Sequence, residues 1–261
     1  MDREDLDRRY LALAAIAREA GLLARRFYED PQARAIEFKG PQDHITAADG
    51  AVETLIKQRL AAAFPQDDVF GEEGGGRFSE RVWVIDPIDG TINFGRGIGH
   101  WGVSIAFVEA GAIALGAIYA PISDELFLAR SGGGATVNGR AMRVSTQTDI
   151  RRSYFEWGWS PRRPMAAYLR VLERIDTAGA VFRRGGSGAL GLAHVADGRL
   201  DGYGELHINS WDCLAGIVMV TEAGGFASDF LAGDGLAKGN PLLCCAPALK
   251  DSLVAITGIG G

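Results

Sequence analysis

One short segment of the sequence combines residue types suited to metal and phosphate chemistry. Asp86-Pro87-Ile88-Asp89-Gly90-Thr91 places two carboxylates three residues apart, where a sharp turn can make them converge. Such groups repel each other, and they stay ionised together only with a cation between them. Hard divalent cations prefer oxygen ligands of this kind, and Gly90 lets the backbone approach a ligand closely. The alternative is a solvated turn, since Asp and Gly are common turn residues.

Further acids stand in comparable settings elsewhere in the chain. Glu72 and Glu73 lie between glycines, Asp212 follows Trp211 at the start of a predicted helix, and Asp49 begins another. Each of these acids alone is more often a helix cap or a surface charge. Their combination with the 86–91 segment favours a site that binds divalent metal ions.

Taken in order, these motifs resemble those of the inositol monophosphatase family of magnesium-dependent, lithium-sensitive phosphatases. The pattern is Glu72-Glu73, then the segment 86–91, then Trp211-Asp212 and, after eleven residues (213–223), Gly224-Gly225. The resemblance covers nearly the whole chain. It implies a phosphoric monoester hydrolase folded as a layered αβαβα sandwich of the sugar-phosphatase type, with a metal site where two halves meet.

The resemblance also implies a set of metal ligands. One Mg²⁺ would be held by Glu72, Asp86 and the carbonyl of Ile88. A second would be held by Asp86, Asp89 and Asp212. Glu72 would also help to hold a third, more weakly bound ion through water, so that two or three ions are expected.

Catalysis in this scheme uses a water molecule activated by the cations. Thr91, oriented by Asp49, would position and help to deprotonate that water, and Glu72 would take part through its metal. The phosphate would be cradled by the Gly90 and Thr91 amides. The residues expected to border the phosphate are Asp89, Gly90, Thr91 and Asp212.

The alcohol part of the substrate would be read by other residues. The loop Gly186-Ser187-Gly188 matches the family's Gly-Thr/Ser loop, and Glu205 matches a carboxylate that accepts hydrogen bonds from substrate hydroxyls. Strand periodicity would put His207 and Asn209 on the same face as Glu205. His207 is then either a pocket neighbour or a structural polar contact.

The identity of the alcohol is less constrained than the chemistry. The run Gly90-Thr91-Ile92-Asn93-Phe94 resembles the inositol monophosphatase and histidinol-phosphatase branches, so inositol-1-phosphate is the expected substrate. Histidinol phosphate is the alternative, because Trp157, Trp159 and nearby acids could receive a cationic, flat imidazole. These tryptophans could equally belong to the core or a dimer interface. A sugar bisphosphate ranks below both substrates.

Hydrophobic periodicity predicts the elements that position these residues. The first half should contain helices 4–28 and 49–64, a strand 81–85, a hairpin 102–108/112–119, and a strand pair 125–129/135–137. The second half should alternate strands and helices, with strands 153–157, 180–182 and 200–208 and helices 163–176, 189–196 and 211–223. This predicts an α+β half over 1–149 with most metal ligands and an α/β half over 150–261 with Asp212 and the substrate contacts, forming one compact unit.

Composition narrows the class of protein. The 261 residues include 27 Lys and Arg and 33 Asp and Glu, a net charge of −6, with 47% hydrophobic residues. These proportions fit a soluble globular protein and exclude collagen, coiled coil and disorder. The acidic charge argues against nucleic acid as the main partner, so a role as an RNA-associated factor, reported for some family members, ranks below catalysis.

The sequence also favours a cytoplasmic protein without a membrane span. Its three cysteines form no disulfide framework, and residues 1–9 are too charged for a secretory signal. The apolar stretch 101–121 reads as a buried hairpin rather than a membrane helix. The resemblance implies a homodimer, for which the 102–119 hairpin and the 154–159 aromatics are the candidate surfaces.

Two other enzyme classes fit less well. Segments 97–102 and 186–191 match Gly-x-Gly-x-x-Gly, which would suit a nucleotide-binding oxidoreductase. A Rossmann fingerprint belongs near the start of a βαβαβ array, however, and here only 70 residues follow Gly191. A serine hydrolase is disfavoured because residues 185–189 lack the last glycine of Gly-x-Ser-x-Gly.

Overall fold

A computed structural model describes residues 3–40 and 43–260 of the chain. The helices formed by these residues are α1 (Arg3–Glu29), α2 (Ala47–Ala63), α3 (Thr91–Gly95), α4 (Met165–Thr177), α5 (Gly188–Ala196), α6 (Ser210–Glu222), α7 (Gly235–Lys238) and α8 (Lys250–Thr257). The strands are β1 (Glu37–Gly40), β2 (Asp43–Ile45), β3 (Asp68–Gly71), β4 (Gly75–Gly76), β5 (Arg81–Asp89), β6 (Gly102–Glu109), β7 (Ala112–Ala120), β8 (Glu125–Arg130), β9 (Gly134–Val137), β10 (Arg140–Ala141), β11 (Tyr154–Trp157), β12 (Val181–Arg183), β13 (Gly202–Ile208), β14 (Phe226–Ala227) and β15 (Asn240–Cys245).

Two sheets dominate the architecture. The larger has eight strands in the order β10-β9-β8-β7-β6-β5-β3-β4, and the smaller has five in the order β12-β11-β13-β15-β14. Strands β5 to β9 are joined by antiparallel pairings, whereas β3 runs parallel to β5. A small separate pairing joins β1 to β2.

Three apolar clusters show how the layers stack. Helices α1 and α2 bury their apolar faces against one side of the larger sheet. Helices α5 and α6 fill the space between the two sheets. Helices α4 and α8 cover the outer side of the smaller sheet. The layers therefore follow the order αβαβα, which confirms the predicted fold class.

The alternation of side chains along β15 illustrates this layering. Leu242 and Cys244 belong to the cluster between the sheets, while Leu243 and Cys245 belong to the outer cluster. Successive residues of a strand point to opposite faces, so an apolar run in a strand covered on both sides fills two cores. All three cysteines are free and buried.

The hairpin predicted from residues 102–119 is present as β6 and β7. It lies in the middle of the larger sheet, and its residues 102–108 and 115–120 are buried. The expectation that this hairpin forms a dimer surface is therefore wrong, because β5 and β8 flank it and helices cover both faces. Within the described part of the chain, no helix combines the length and apolar character needed to span a membrane.

Candidate active site

Asp86 and Asp89 lie at the carboxyl end of β5, where its pairing with β6 becomes irregular. The register shifts between these two residues, and Pro87 between them has no N–H to donate to a ladder. In a regular strand, residues three apart face opposite sides. The irregularity breaks this alternation and lets both carboxylates serve one site. Gly90 then adopts a φ of 98°, which favours glycine, and α3 begins at Thr91.

Glu72 reaches Asp86 because of the parallel pairing of β3 with β5. Gly71 is aligned with Ile85, and the amide of Glu72 donates to the Ile85 carbonyl at 3.1 Å. The carboxyl end of β3 therefore lies beside that of β5. Glu72 and Asp86, one residue beyond the aligned pair, become spatial neighbours although 14 positions separate them.

Asp212 comes from the second half of the chain, as the third residue of α6. Its Oδ2 accepts hydrogen bonds from the amide of Asn209 at 3.2 Å and from Asn209 Nδ2 at 3.3 Å, in a capping box. One carboxylate oxygen each of Glu72, Asp86 and Asp212 lies within 4.8 Å of the others. The structure thus brings three of the predicted metal ligands together.

Asp89 is held by the amino end of α5. It accepts hydrogen bonds from the Ser187 hydroxyl, from the Ala189 amide at 2.7 Å and from the Gly188 amide at 3.2 Å. The unpaired amides and dipole of a helix amino end stabilise an anion there. The Ser187 hydroxyl also accepts from the Leu190 amide at 3.2 Å, so it is already engaged within the protein.

Asp49 and Thr91 make local contacts next to this cluster. The fully buried Asp49 accepts hydrogen bonds at Oδ2 from the Thr46 amide at 2.8 Å and the Thr46 hydroxyl at 2.6 Å. Thr91 donates its hydroxyl to the Ile88 carbonyl at 3.1 Å, the same oxygen that was predicted to bind metal. The orientation of Thr91 by Asp49 stays a prediction.

Burial raises the pKa of each clustered acid, and neighbouring carboxylates add to this rise at Glu72, Asp86 and Asp89. Although Glu72 is exposed as a residue, its carboxyl lies among protein atoms and beside Asp212, which raises its pKa to about 8. Burial and then Asp212 raise the pKa of Asp89 to about 7, and burial raises that of Asp212 to about 6. Burial followed by the charge of Glu72 raises the pKa of Asp86 well above its usual range. The site therefore disfavours full ionisation unless positive charge is supplied.

The donor set fits a divalent cation. Oδ2 of the buried Asp86 has no hydrogen-bond partner among the described residues, while its Oδ1 accepts from the Ile88 amide at 2.9 Å. Hard cations such as Mg²⁺ bind clustered carboxylate oxygens of this type. Glu72, Asp86 and Asp212 are the residues that could hold such an ion, with Asp89 beside them.

A cleft of about 370 Å³ opens over these carboxylates. Glu72, Asp89 and Asp212 line one part of it. The remaining wall includes the residues Gly90, Thr91, Trp159, Arg184, Gly186, Ser187, Gly188, Tyr203 and Glu205. The predicted phosphate and alcohol contacts, scattered over more than 100 positions of the chain, thus border a single cleft.

Glu205 is fixed within this cleft. The Tyr203 hydroxyl donates to its Oε2 at 2.6 Å, and a side chain at Gly158 would collide with both residues. Burial raises the pKa of Glu205 to about 8, with the Tyr203 hydrogen bond acting in the opposite direction. Glu205 therefore presents a carboxyl group of fixed orientation to a ligand.

The structure decides between the alternatives left open for two neighbouring positions. His207 does not line the cleft but places its Nε2 2.9 Å from the Lys238 carbonyl, because the β13–β15 register shifts between Glu205 and Ile208 and breaks the expected alternation. Trp157 is fully buried in the outer core, whereas Trp159 lines the cleft. The two tryptophans of one motif thus have different roles.

Sequence reasoning overlooked several polar residues around the site. Glu53 on α2 accepts hydrogen bonds from the amides that follow Glu72, and Arg184 is a cation in the cleft wall. Glu156 is buried, accepts a hydrogen bond from Arg183 Nε at 2.8 Å and borders the cleft. The available signal for Glu53 was its position four residues after Asp49, on the same face of one helix.

Comparisons with known proteins show which family the chain belongs to. The inositol monophosphatase family model matches residues 5–257. Nus factor SuhB of Salmonella typhimurium is 38% identical over 244 residues, covering 92% of this chain and 91% of that protein. The IMPase of Thermotoga maritima superposes with a TM-score of 0.85 at 30% identity, covering 99% of this chain and 97% of that one.

A third relative is SaIMPase-II, solved with inositol monophosphate bound. It superposes with a TM-score of 0.78 at 26% identity, and the match covers 95% of this chain and 92% of that one. Sequence model, identity and fold agree over nearly the whole chain. The chain is therefore a member of the inositol monophosphatase family of phosphatases.

Proposed function

We propose that this protein is a Mg²⁺-dependent hydrolase of small phosphate monoesters, with inositol-1-phosphate as its preferred substrate. The observation that carries the proposal is the meeting of Glu72, Asp86 and Asp212, of which one carboxylate oxygen each lies within 4.8 Å of the others, with Glu72 and Asp212 lining a cleft. The cleft volume of about 370 Å³ suits a small phosphorylated alcohol.

In this proposal, Glu72, Asp86, Asp89 and Asp212 hold two or three Mg²⁺ ions together with the Ile88 carbonyl. When bound, Mg²⁺ supplies charge neutralisation for the phosphate and leaving alkoxide and lowers the pKa of water. The four acids supply the negative charge that binds the ions. Their shared position between β3, β5 and α6 fixes the spacing of these ligands.

The remaining steps belong to residues beside the metal ligands. The Gly90 and Thr91 amides bind phosphate oxygens where the chain turns from β5 into α3. The Thr91 hydroxyl, oriented by Asp49, positions the attacking water and helps to remove its proton. The water oxygen bonds to phosphorus and gives up a proton as the bond from phosphorus to the alcohol oxygen breaks. The leaving alkoxide takes up a proton in exchange, and inorganic phosphate and the free alcohol are released.

The substrate preference is supported by Glu205 and by one relative. Glu205 is a fixed hydrogen-bond acceptor in the cleft, which suits the hydroxyls of a polyol. SaIMPase-II, a relative of the same fold, has been solved with inositol monophosphate bound. Histidinol phosphate is the second substrate candidate because Trp159 and Glu205 line the cleft and could receive a cationic ring.

The direct test compares kcat/KM for inositol-1-phosphate, histidinol phosphate and a sugar bisphosphate at saturating Mg²⁺. We expect inositol-1-phosphate to give the highest value, chelation by EDTA to abolish turnover, and Li⁺ to inhibit it. Full activity in excess EDTA would overturn the metal-dependent mechanism. A higher kcat/KM for histidinol phosphate would change the proposed substrate but leave the proposed reaction unchanged.

A different role is raised by the name of the SuhB relatives, which are called Nus factors. Such a role would be non-catalytic and would need a transcription or RNA partner. The chain carries a net charge of −6, which opposes binding to a polyanion. Filter binding of the whole protein to structured RNA at physiological salt tests this candidate, and we expect no retention above that of a neutral control protein.

We also propose a homodimer, now with a narrower candidate surface. Within the 154–159 segment, Phe155 and Trp157 are buried, whereas Tyr154 is exposed and aligned with Val181 on the edge strand β12. Val181 and Phe182 are exposed as well, so this edge offers the apolar surface. Sedimentation at micromolar concentration should give twice the chain mass of 27.8 kDa, and a 27.8 kDa species would contradict the proposal.

A further inference from the structure

Glu53 is a buried carboxylate outside the set of metal-ligand candidates. It lies on α2, 4% exposed, and its two oxygens face the loop that follows β3. Oε2 accepts a hydrogen bond from the amide of Glu73 at 2.9 Å, and Oε1 accepts one from the amide of Gly74 at 2.8 Å. The loop that carries Glu72 is therefore hydrogen-bonded to α2 at the two residues that follow Glu72.

The loop is shaped to receive this carboxylate. A Cβ atom at Gly71 would overlap the Glu53 carboxyl group, and one at Gly74 would lie 2.6 Å from its Oε1. The glycines on either side of Glu72-Glu73 thus create the space that Glu53 occupies. Because neither glycine has a positive φ, their role here is close approach rather than unusual backbone conformation.

A cation balances the charge of Glu53. Lys57, one turn further along α2, donates from Nζ to Glu53 Oε1 at 2.7 Å and to the Gly75 carbonyl at 3.3 Å. Hydrogen bonds to a charged acceptor are stronger than those between neutral groups. Two loop amides and one loop carbonyl are therefore tied to a single helical turn.

The same helix carries Asp49 one turn before Glu53. Residues four apart share one face of a helix, so α2 presents Asp49 to the acidic cluster and Glu53 to the loop of Glu72. The charge of Asp49 contributes to raising the pKa of Glu72, which places the two acids in one electrostatic site. Helix α2 is thus a common support for two groups of the proposed mechanism.

We propose that Glu53 is a positioning residue for metal binding: by holding the Glu73 and Gly74 amides, it keeps the Glu72 carboxylate directed at Asp86 and Asp212. This inference rests on the proposed function for its consequence in catalysis. Residues that orient metal ligands without touching the ion typically contribute about 10- to 100-fold to metal affinity. Glu53 is expected to contribute within that range.

The test measures Mg²⁺ binding by calorimetry and amide hydrogen exchange in the full chain. Glu53→Gln keeps the side-chain size, but its amide nitrogen cannot accept from a backbone N–H. We expect about a 10-fold or greater rise in the Mg²⁺ Kd, with faster exchange at Glu73 and Gly74. At saturating Mg²⁺, kcat should return to within about threefold of wild type, because the ligands themselves are intact.

A second variant approaches the same contact from the loop. Gly74→Ala places a methyl group against Glu53 Oε1 and should weaken Mg²⁺ binding in the same direction. Its matched control is Gly50→Ala, since a Cβ at Gly50 on α2 meets no atom within 4 Å. Glu19→Gln, in an exposed pair with Arg59, controls for loss of one acid. Both controls should keep the wild-type Kd within about twofold.

The outcomes separate the two proposals. Wild-type Mg²⁺ affinity in both Glu53→Gln and Gly74→Ala would overturn the positioning role while leaving phosphatase function in place. If the unaltered chain binds no Mg²⁺, the proposed function fails instead. In that case amide exchange alone tests whether Glu53 positions the loop. Unchanged protection of the Glu73 and Gly74 amides in Glu53→Gln would refute that role.

Discussion

Ser187 donates a hydrogen bond to the carboxylate of Asp89, across 98 positions of the sequence. This contact joins the carboxyl end of β5 in the larger sheet to the amino end of α5. The sequence resemblance assigned Ser187 to the alcohol part of the substrate and Asp89 to the metal. In the structure these two residues are bonded to each other, because the Ser187 side chain is buried and its hydroxyl donates to Asp89.

Ser187→Ala should therefore affect the chemistry and not only substrate binding. The variant removes one hydrogen bond to a charged acceptor, while the Gly188 and Ala189 amides still hold Asp89. We expect a loss near the lower end of 1.5–3 kcal/mol, about 10-fold in kcat/KM, for the true substrate and for p-nitrophenyl phosphate alike. Ser79→Ala, on an exposed loop, is the control.

Substitution of Asp86 should be far more severe than that of Glu73. Asp86 is buried at the centre of the acidic cluster and is assigned to two ions, so Asp86→Asn should lower kcat by at least about 10³-fold. Glu73→Gln should cost much less, because the backbone amide of Glu73 is what the neighbouring Glu53 holds. Steady-state kinetics at saturating Mg²⁺ make the comparison, and equal losses would show that the wrong glutamate of the pair was assigned to the metal.

Much of this arrangement was accessible from the sequence, and the exceptions have physical causes. The 86–91 segment and Asp212 were predictable because their residue types are unusual together. Glu53 was not singled out, since a lone acid on a helix normally indicates a solvated face. Strand β15 was missed because its apolar run serves two cores and contains Pro241, so neither alternation nor helical periodicity is visible.

The affinity for Mg²⁺ should fall as the pH is lowered from 8 to 6. Without a cation, burial and neighbouring charge raise the pKa of Glu72 to about 8 and of Asp89 to about 7, and burial raises the pKa of Asp212 to about 6. Mg²⁺ must displace the protons held in this range. Release of one proton corresponds to about a tenfold change in Kd per pH unit, which calorimetry in buffers of different ionisation enthalpy can resolve. A Kd for Mg²⁺ that does not change with pH would contradict binding of the ion by these acids.

The raised pKa values of these acids also determine whether the free energy of unfolding rises or falls with pH. These acids have higher pKa values in the folded chain than in the unfolded one, so the folded chain binds more protons between about pH 4 and 8. The free energy of unfolding of the metal-free chain should therefore fall as the pH rises through this range. Added Mg²⁺ should raise Tm more at pH 8 than at pH 6. An equal gain in Tm at both values would count against cation binding by these acids.

Specificity for the alcohol is expected to depend on Glu205. In the proposed mechanism, the phosphate and the metal ions contact residues that bind only the transferred group. Glu205 is instead hydrogen-bonded to Tyr203 in another part of the cleft wall. Glu205→Gln should lower kcat/KM for the true substrate by about 1.5–3 kcal/mol, roughly 10- to 150-fold, and spare p-nitrophenyl phosphate. The loss should be near the upper limit for histidinol phosphate, whose cation loses its counter-charge, and lower for inositol-1-phosphate.

The size of this effect should itself depend on pH. Burial raises the pKa of Glu205 to about 8, so at pH 6.5 the wild-type side chain is largely protonated and resembles glutamine in charge. The difference in kcat/KM between wild type and Glu205→Gln should therefore be smaller at pH 6.5 than at pH 8.5. It should also be smaller for a neutral polyol than for a cationic substrate. Kinetics with both substrates and the generic ester at the two pH values test this. A uniform loss across all three would place Glu205 among the groups that act on the phosphate, because only those are shared by every ester.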